Sequence, residues 1–255
     1  MAVVVLASAG HAPGVTTTAL GLALTWPRSA LLVDADRTPT QAVLAGYLRG
    51  AHPGQHGLGR LLQAAREQRP LAEVVDAELL ELPPVPATGR AARFLPGFPH
   101  PGVVGLFGAT WPDLMAVLAA RPGDVLIDAG RIGAEGLPPA LLQAADQVLV
   151  VTRTSLVALA GLRLYLPTVA EAARDVALLL VGSGRPYGRA EVQHQFATRI
   201  AGEISHDPAA AAVFSEGAPA PRRFAQAGLV RSLSKTATSI SGRLEAARDL
   251  IGARR

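Results

Sequence analysis

Short apolar runs alternate with amphipathic stretches along the chain. Runs of apolar residues without intervening polar ones predict buried β-strands at 3–6, 30–33, 125–128, 147–152, 176–181 and 200–204. Stretches with helical spacing lie at 16–24, 38–49, 58–68, 111–120, 155–173, 190–197 and 231–251. Strands separated by helices indicate an α/β, doubly wound fold with a mostly parallel sheet and helices on both faces. Because the alternation continues throughout, we predict a single domain over 1–255.

Three segments depart from this pattern. Residues 81–102 are rich in Pro, Gly and Arg, with a strand predicted at 93–95. Residues 217–222 form a Pro-rich stretch and predict a loop. Pro167 lies inside the helix predicted at 155–173, where it is expected to kink or split that helix.

Composition excludes several classes of protein. Hydrophobic residues make up 49% of the 255 residues and charged residues 17%, which excludes wholesale disorder. The chain has no cysteine, so disulfide scaffolds, thiolate metal sites and cysteine nucleophiles are excluded. No apolar run approaches the roughly 20 residues of a membrane span, and the first residues lack the positive region of a signal peptide. We therefore expect a cytoplasmic protein.

Four sequence blocks occur in a fixed order at predicted strand ends. They are AGHAPGVTT at 9–17, LLVDAD at 31–36, DVLIDAG at 124–130 and ADQVLVVTR at 145–153. Together they resemble the ParA/MinD family of P-loop proteins, also called the deviant Walker A group. A fainter fifth block, AGEISHDP at 201–208, is similar to a late strand and loop of that family. The resemblance implies a P-loop fold over most of the chain.

The first block departs from the family's P-loop, GKGGVGKTT. The phosphate-binding lysine of the family falls on Val15, and its second, signature lysine falls on Gly10. Two loop glycines become His11 and Ala12, and Pro13 removes a backbone N–H donor. The nucleotide-binding positions that the resemblance implies are Gly10, Gly14, Val15, Thr16 and Thr17.

Two aspartates match chemical positions of the family. Asp36 matches the aspartate that positions the attacking water, a catalytic role that holds only in an active enzyme. Asp128 matches the Walker B carboxylate, which with Thr16 would hold Mg²⁺ if nucleotide binds. Aspartates also end parallel strands for structural reasons, so that alternative stays open. An Asn-Arg pair that contacts adenine in the family is replaced by GSGR at 182–185.

Two functions follow from the altered loop. The first is a pseudo-ATPase that acts as a positioning or scaffold protein, of the partitioning or the pilus and secretion localisation type; it has no resident cofactor, and ATP and Mg²⁺ bind weakly at best. The second is an active ATP-dependent partitioning or positioning ATPase that binds DNA or membrane and takes a cation from Arg37, Arg131 or Arg153. The loss of both lysines favours the first.

The resemblance also implies partners. Relatives form a sandwich dimer with two nucleotides at its interface. Without the signature lysine we expect a homodimer that needs no ligand, packed through Ala9, Ala12, Pro13 and Val15. A protein partner of unknown identity is expected as cargo or target.

Basic residues cluster near the C-terminal end of a chain with net charge +4, in which Lys235 is the single lysine among 24 basic residues. Non-specific DNA binding would use Arg222, Arg223, Arg243 and Arg248. The C-terminal amphipathic helix at 231–251 carries one apolar face, formed by Leu233, Ala237, Ile240, Leu244, Ala247 and Ile251. We interpret that face as packed on the sheet, because it is too Ala-rich for strong membrane insertion.

Overall fold

The protein is described by a computed structural model, which covers residues 1–11, 13–52, 56–85 and 91–252. Its strands form one sheet: β1 Val3–Ser8, β2 Ala30–Asp34, β3 Leu80–Leu82, β4 Ala92–Leu95, β5 Asp124–Arg131, β6 Gln147–Arg153, β7 Val176–Val181 and β8 Ile200–Ile204. The strand order is β3-β4-β2-β5-β1-β6-β7-β8. Strand β3 pairs antiparallel with β4, and the other pairs are parallel. The predicted mostly parallel sheet is confirmed.

Helices cover both faces of this sheet. They are α1 Val15–Thr25, α2 Leu58–Arg66, α3 Leu71–Val74, α4 Pro101–Val104, α5 Trp111–Ala120, α6 Pro139–Ala144, α7 Leu156–Ala172, α8 Arg189–Phe196, α9 Pro208–Ser215 and α10 Gly228–Gly252. One apolar layer lies between the sheet and α2, α3 and α5 to α8. A second lies between the sheet and α1, α9 and α10. The doubly wound architecture is therefore confirmed.

Two predicted helices differ from the structure. Residues 38–49 contain only a five-residue π-helical turn, Val43–Tyr47. A Cβ atom on Gly46 would lie 2.1 Å from the Ser215 carbonyl oxygen, and Arg49 and Gly50 have positive φ. The chain here approaches α9 backbone to backbone and then turns, so a regular helix does not continue. Helix α7 runs unbroken through Pro167, which lies on its exposed face, where water can satisfy the freed carbonyl.

One segment meets the length and hydropathy expected of a membrane span, against the sequence expectation. The segment Pro101–Ala120 has a mean hydropathy of 1.6, and one third of its most apolar 18-residue window is buried. Phe107, Trp111 and Leu114 of this segment pack in the apolar layer beside α2 and α3. Core helices of water-soluble proteins pass the same test, so this feature is weak evidence for a membrane.

The C-terminal helix α10 packs on α1 and β8. Leu233, Ala237, Ile240 and Leu244 of its predicted apolar face are buried there, whereas Ala247 is exposed. The side chain of Ile251 lies outside the described residues. The buried part of this face is covered by the protein itself, as the sequence interpretation expected.

Candidate functional site

The loop between β1 and α1 contains several residues with positive φ, the last of them directly before the helix. Gly10 has φ +144°, His11 +58° and Gly14 +86°, and Gly14 directly precedes the first helical residue. Ala12 lies outside the described residues. No described side chain caps α1, so the N–H groups of its first turn remain available to an anion. The loop thus keeps the strand-loop-helix arrangement of a phosphate site.

Val15 stands where the sequence resemblance places the phosphate-binding lysine. It is 7% exposed and packs in the apolar layer beneath α1. Gly10, at the signature lysine position, has no side chain, and a Cβ atom added there would meet nothing within 4 Å. Neither position therefore supplies a cation to the loop.

Thr16 and Asp128 meet at the centre of the site. Asp128 is buried near the carboxyl end of β5, and Thr16 lies in the first turn of α1. The Thr16 hydroxyl lies close enough to the Asp128 carboxylate to favour its charged form and lower its pKa, and the carboxylate accepts a hydrogen bond from the Gly130 N–H at 3.0 Å. The structure therefore places the predicted pair side by side.

Three carboxyl groups gather at this edge of the sheet. Asp34 and Asp128 are register partners on the neighbouring strands β2 and β5. Asp36 donates its N–H to Asp34 Oδ1 at 3.1 Å, and its own Oδ1 accepts from the Thr38 N–H at 2.8 Å. Sequence reasoning missed Asp34; the signal was a second acid at a strand end, two residues before Asp36.

Desolvation disfavours the charged form of all three carboxyl groups, and a neighbouring carboxyl group adds to this effect at Asp34 and at Asp128. Desolvation and the neighbouring Asp128 raise the pKa of Asp34 to about 8. Desolvation raises the pKa of Asp128 to about 6, against the opposing hydrogen bonds from Thr16 and Gly130. Desolvation also raises the pKa of Asp36, although Arg131 and Arg37 act in the opposite direction. At neutral pH, Asp34 is therefore held largely protonated.

Glycines let the backbone approach these acids closely. A Cβ atom on Gly97 would lie 2.7 Å from Cγ of Asp34, and one on Gly130 would lie 2.1 Å from Cγ of Asp36. Real Cβ atoms do not approach heavy atoms so closely. The carboxyl groups of Asp34 and Asp36 are therefore packed against bare backbone.

The three arginines that could replace the missing phosphate-binding lysine have different surroundings. Arg37 donates to the carbonyl oxygens of Ile132, at 2.7 Å, and Gly136, and so holds the loop that follows β5. Arg131 is exposed beside Asp36, and Arg153 is exposed at the end of β6. Arg37 is thus engaged away from the P-loop.

The predicted DNA-binding arginines are not equivalent. Arg222, Arg223 and Arg243 are exposed. Arg248 instead lies 3.8 Å from the buried Asp124, at the sheet edge opposite the P-loop. We therefore remove Arg248 from the predicted DNA patch.

Asp124 accepts hydrogen bonds from separate parts of the chain. It accepts them from the Ala2 N–H, the Trp26 indole and the Arg28 guanidinium, at 2.7 to 3.1 Å. These bonds lower its pKa despite desolvation. This buried carboxylate therefore stabilises the fold and is not a candidate for chemistry.

A loop expected near an adenine base is tied to the end of β6. Gly182 and Gly184 have positive φ, and the Arg185 N–H donates to the Thr154 hydroxyl at 3.2 Å. The Thr154 hydroxyl donates in turn to the Gly182 carbonyl oxygen. The replacement of the Asn-Arg pair thus forms a compact glycine turn held by its own neighbours.

Comparison with known proteins supports the fold. No protein-family model matches the chain, and no curated protein matches it. Among solved structures, the septum site-determining protein MinD of Pyrococcus horikoshii, complexed with Mg-ADP, is 18% identical, with a TM-score of 0.72 over 94% of this chain and 95% of its own. A ParA family ATPase from Chlorobium tepidum is 16% identical, with a TM-score of 0.73 over 93% and 97% of the two chains.

A third similar structure is a plasmid partition protein from Borrelia burgdorferi bound to AMPPNP. It is 12% identical, with a TM-score of 0.65 over 95% of this chain and 98% of its own. At these identities the likeness concerns the fold alone. This chain has the ParA/MinD-type fold of P-loop proteins.

Proposed function

We propose that this protein is a ParA/MinD-like positioning or scaffold protein that acts as a pseudo-ATPase, dimerises and recruits a partner protein. The observation that carries the proposal is Val15, an apolar residue in the core at the position where a phosphate-binding lysine would stand. The similar solved structures act in septum placement and plasmid partition by their names, which supports a positioning role.

The phosphate half of the site does not fit ATP. A charge-assisted hydrogen bond contributes about 1.5–3 kcal/mol, so the absence of two lysines removes about 3–6 kcal/mol of binding. About 4 kcal/mol separates micromolar from millimolar affinity. Pro13 lacks a backbone N–H, which weakens the remaining cradle further. Backbone donors alone therefore support millimolar binding at best.

The carboxylate half keeps a donor set that suits Mg²⁺. A Thr16 hydroxyl and an Asp128 carboxylate are oxygen ligands of the kind that this ion prefers. If nucleotide bound, these two groups would hold Mg²⁺, which would neutralise phosphate charge there. The Mg²⁺ ligands are thus retained while the phosphate-binding cations are not, and the missing cations support the proposal that nucleotide is not retained.

Calorimetry with Mg-ATP tests the proposal. We expect no saturable binding below about 1 mM and no hydrolysis above the protein-free rate. Micromolar affinity would overturn the proposal and favour the ATPase alternative with a cation supplied by Arg131 or Arg153. A variant with Arg131 changed to Gln would then lose that affinity if Arg131 supplies the cation.

Two of the residues expected to form the dimer interface are not available at the surface. Pro13 and Val15 are buried within the chain, so they do not offer the apolar contact expected of them. Ala9 is partly exposed and His11 is exposed beside them, whereas Ala12 lies outside the described residues. Light scattering across micromolar concentrations should give twice the chain mass without ligand. A constant monomer mass would refute dimerisation and leave the nucleotide proposal standing.

A further inference from the structure

The loop 132–138 lies between β5 and α6, beside the candidate site. Its ends are anchored by the buried Ile132 and Leu137. Its middle has weaker support, because Gly133 and Gly136 have positive φ, residues 133–135 are exposed, and an internal hydrogen bond from the Gly136 N–H to the Gly133 carbonyl oxygen is 3.4 Å long. A segment of this kind samples several arrangements unless other residues hold it.

The Arg37 side chain crosses to this loop from the neighbouring strand. Arg37 lies in the turn after β2, and its Nη2 donates to the carbonyl oxygens of Ile132, at 2.7 Å, and Gly136. Hydrogen bonds from a charged donor are stronger than those between neutral groups. One guanidinium nitrogen therefore joins the beginning of the loop to the far side of its glycine turn.

The guanidinium is packed into this contact. The Arg37 side chain is 24% exposed, and its Nε is buried with no hydrogen-bond partner among the residues that the structure describes. A Cβ atom on Gly133 would lie 3.2 Å from Arg37 Nη2. The loop backbone thus lies directly against the guanidinium, which does not extend freely into water.

The nearby acid contributes less to the contact than the two carbonyl groups. The Glu135 carboxylate lies 3.9 Å from Arg37 Nη1, and the Glu135 side chain is 91% exposed. Ion pairs in such exposed positions contribute little, because water and salt screen them. The two hydrogen bonds to backbone carbonyl oxygens therefore hold the loop.

The same loop is also tied to β1. The Ile132 N–H donates to the Ser8 carbonyl oxygen at 2.9 Å, and Ser8 ends the strand that leads into the loop before α1. Arg37 directly follows Asp36, whose carboxyl group belongs to the candidate site. The ends of β1, β2 and β5 are thus joined by contacts that the chain itself makes.

We propose that Arg37 is a positioning residue that holds the loop 132–138 in one arrangement beside the candidate site, and that this arrangement does not change when nucleotide is offered. The exposed residues 133–135 are then presented to solvent in one constant form. The proposal does not depend on whether the protein binds ATP, so it and the proposed function can fail separately.

Amide hydrogen exchange of the full chain tests the proposal, read on the amides of residues 133–137. Arg37→Gln should accelerate exchange there by about tenfold or more, because the shorter, uncharged side chain loses the two carbonyl bonds, while exchange in β6 and β7 stays unchanged. Arg37→Lys should keep most of the protection, since a single ammonium nitrogen can donate to both carbonyl oxygens as Nη2 does.

The matched control is Arg131→Gln, which removes the same charge beside Asp36 but none of the carbonyl bonds. A substitution at 131 does not alter the intrinsic exchange of amides 133–137, so their rates should stay within about twofold of native values. About 0.5 M sodium chloride, which screens the Glu135 ion pair, should likewise change them by less than about twofold. The native protein should also show less than about a twofold change with about 5 mM Mg-ATP.

Four outcomes would overturn the proposal. Native exchange rates at 133–137 in Arg37→Gln would do so, and equal acceleration in Arg131→Gln would assign the effect to charge. Exchange that slows by about tenfold with Mg-ATP would show that a ligand sets the arrangement. If Arg37→Gln accelerates exchange throughout the sheet, Arg37→Lys decides: retained protection of 133–137 supports the proposal, and its loss refutes it.

Discussion

The Asp36 carboxyl group lies directly against the backbone of Gly130, where a Cβ atom would come within 2.1 Å of its Cγ. Gly130 also has φ +62°, a conformation that side chains other than glycine rarely adopt. The positive φ favours glycine at this position, and an added Cβ would in addition force the Asp36 carboxyl group to move.

Changing Gly130 to Ala should displace Asp36 and destabilise the protein by about 2–4 kcal/mol, combining backbone strain with a steric clash. Urea denaturation measures this. The matched control is Gly136→Ala, because Gly136 has φ +71° but nothing within 4 Å of the added Cβ. The control should lose only about 1 kcal/mol. Equal losses in the two variants would contradict the packing of Asp36 on Gly130.

Protonation of Asp34 should make stability depend on pH. Its pKa of about 8 lies above the ordinary value of 3.8, so the folded chain keeps a proton that the unfolded chain releases. The stabilisation from this proton is complete below about pH 4 and is lost as the pH rises through about 8. The Asp34→Asn variant keeps the acceptor for the Asp36 N–H and removes the titration.

Urea denaturation at about pH 5 and about pH 8.5 checks this expectation. Between these values, the free energy of unfolding of the native protein should fall by about 4 kcal/mol more than that of Asp34→Asn, because a pKa unit corresponds to about 1.4 kcal/mol. An exposed acid on α5, Asp113, provides the control Asp113→Asn. If Asp34→Asn and Asp113→Asn have the same pH dependence as the native protein, Asp34 is ionised in the folded state.

Restoring the family lysine should cost stability rather than give activity. In Val15→Lys, an ammonium group replaces an apolar side chain packed beneath α1, which should destabilise the protein by about 1–3 kcal/mol. Val15→Ala loses packing without adding charge and serves as the control. A Val15→Lys variant of native stability that binds ATP at micromolar concentration would show that the loop is still a competent cradle.

DNA binding, if present, should depend on Arg222, Arg223 and Arg243 acting together. About three phosphate contacts predict a loss of affinity of about 40-fold between about 50 and 200 mM salt. A mobility-shift assay at low salt with the triple Arg→Gln variant measures their contribution. Arg248 is left unchanged because it lies against Asp124, and its loss would disturb folding.

The control for this assay removes the same charge elsewhere. Arg60, Arg66 and Arg69 are exposed on and beside α2, and their triple Gln variant should shift DNA like the native protein. Equal weakening in the two triple variants would show that overall charge, rather than a C-terminal patch, attracts DNA. Absence of any shift at micromolar protein would leave a protein as the main partner.

Much of the fold follows from the sequence because buried parallel strands are continuous apolar runs. Strands β1, β2 and β5 to β8 lie where those runs predict them. Strand β3 was missed because Leu80–Leu82 is a three-residue edge strand, too short to show a period. The irregular 38–49 segment was mispredicted because its shape is set by contact with α9, which is distant in sequence.

The candidate site was predictable only in part. Thr16 and Asp128 could be paired through the family resemblance, and the structure places them side by side. Asp34 was not predicted as a site residue because its raised pKa depends on Asp128. That residue lies on the neighbouring strand β5 but is 94 residues further along the chain. The exposure of Leu164 on α7 has no sequence signal either, since an exposed leucine resembles a core leucine in the pattern.

Gly161 lies on the side of α7 that borders the loop between β1 and α1. A Cβ atom there would lie 3.9 Å from the Ala9 carbonyl oxygen and from Cδ2 of His11. A ligand that favoured one arrangement of the loop and one position of α7 together would couple the two elements, and that coupling would be reciprocal.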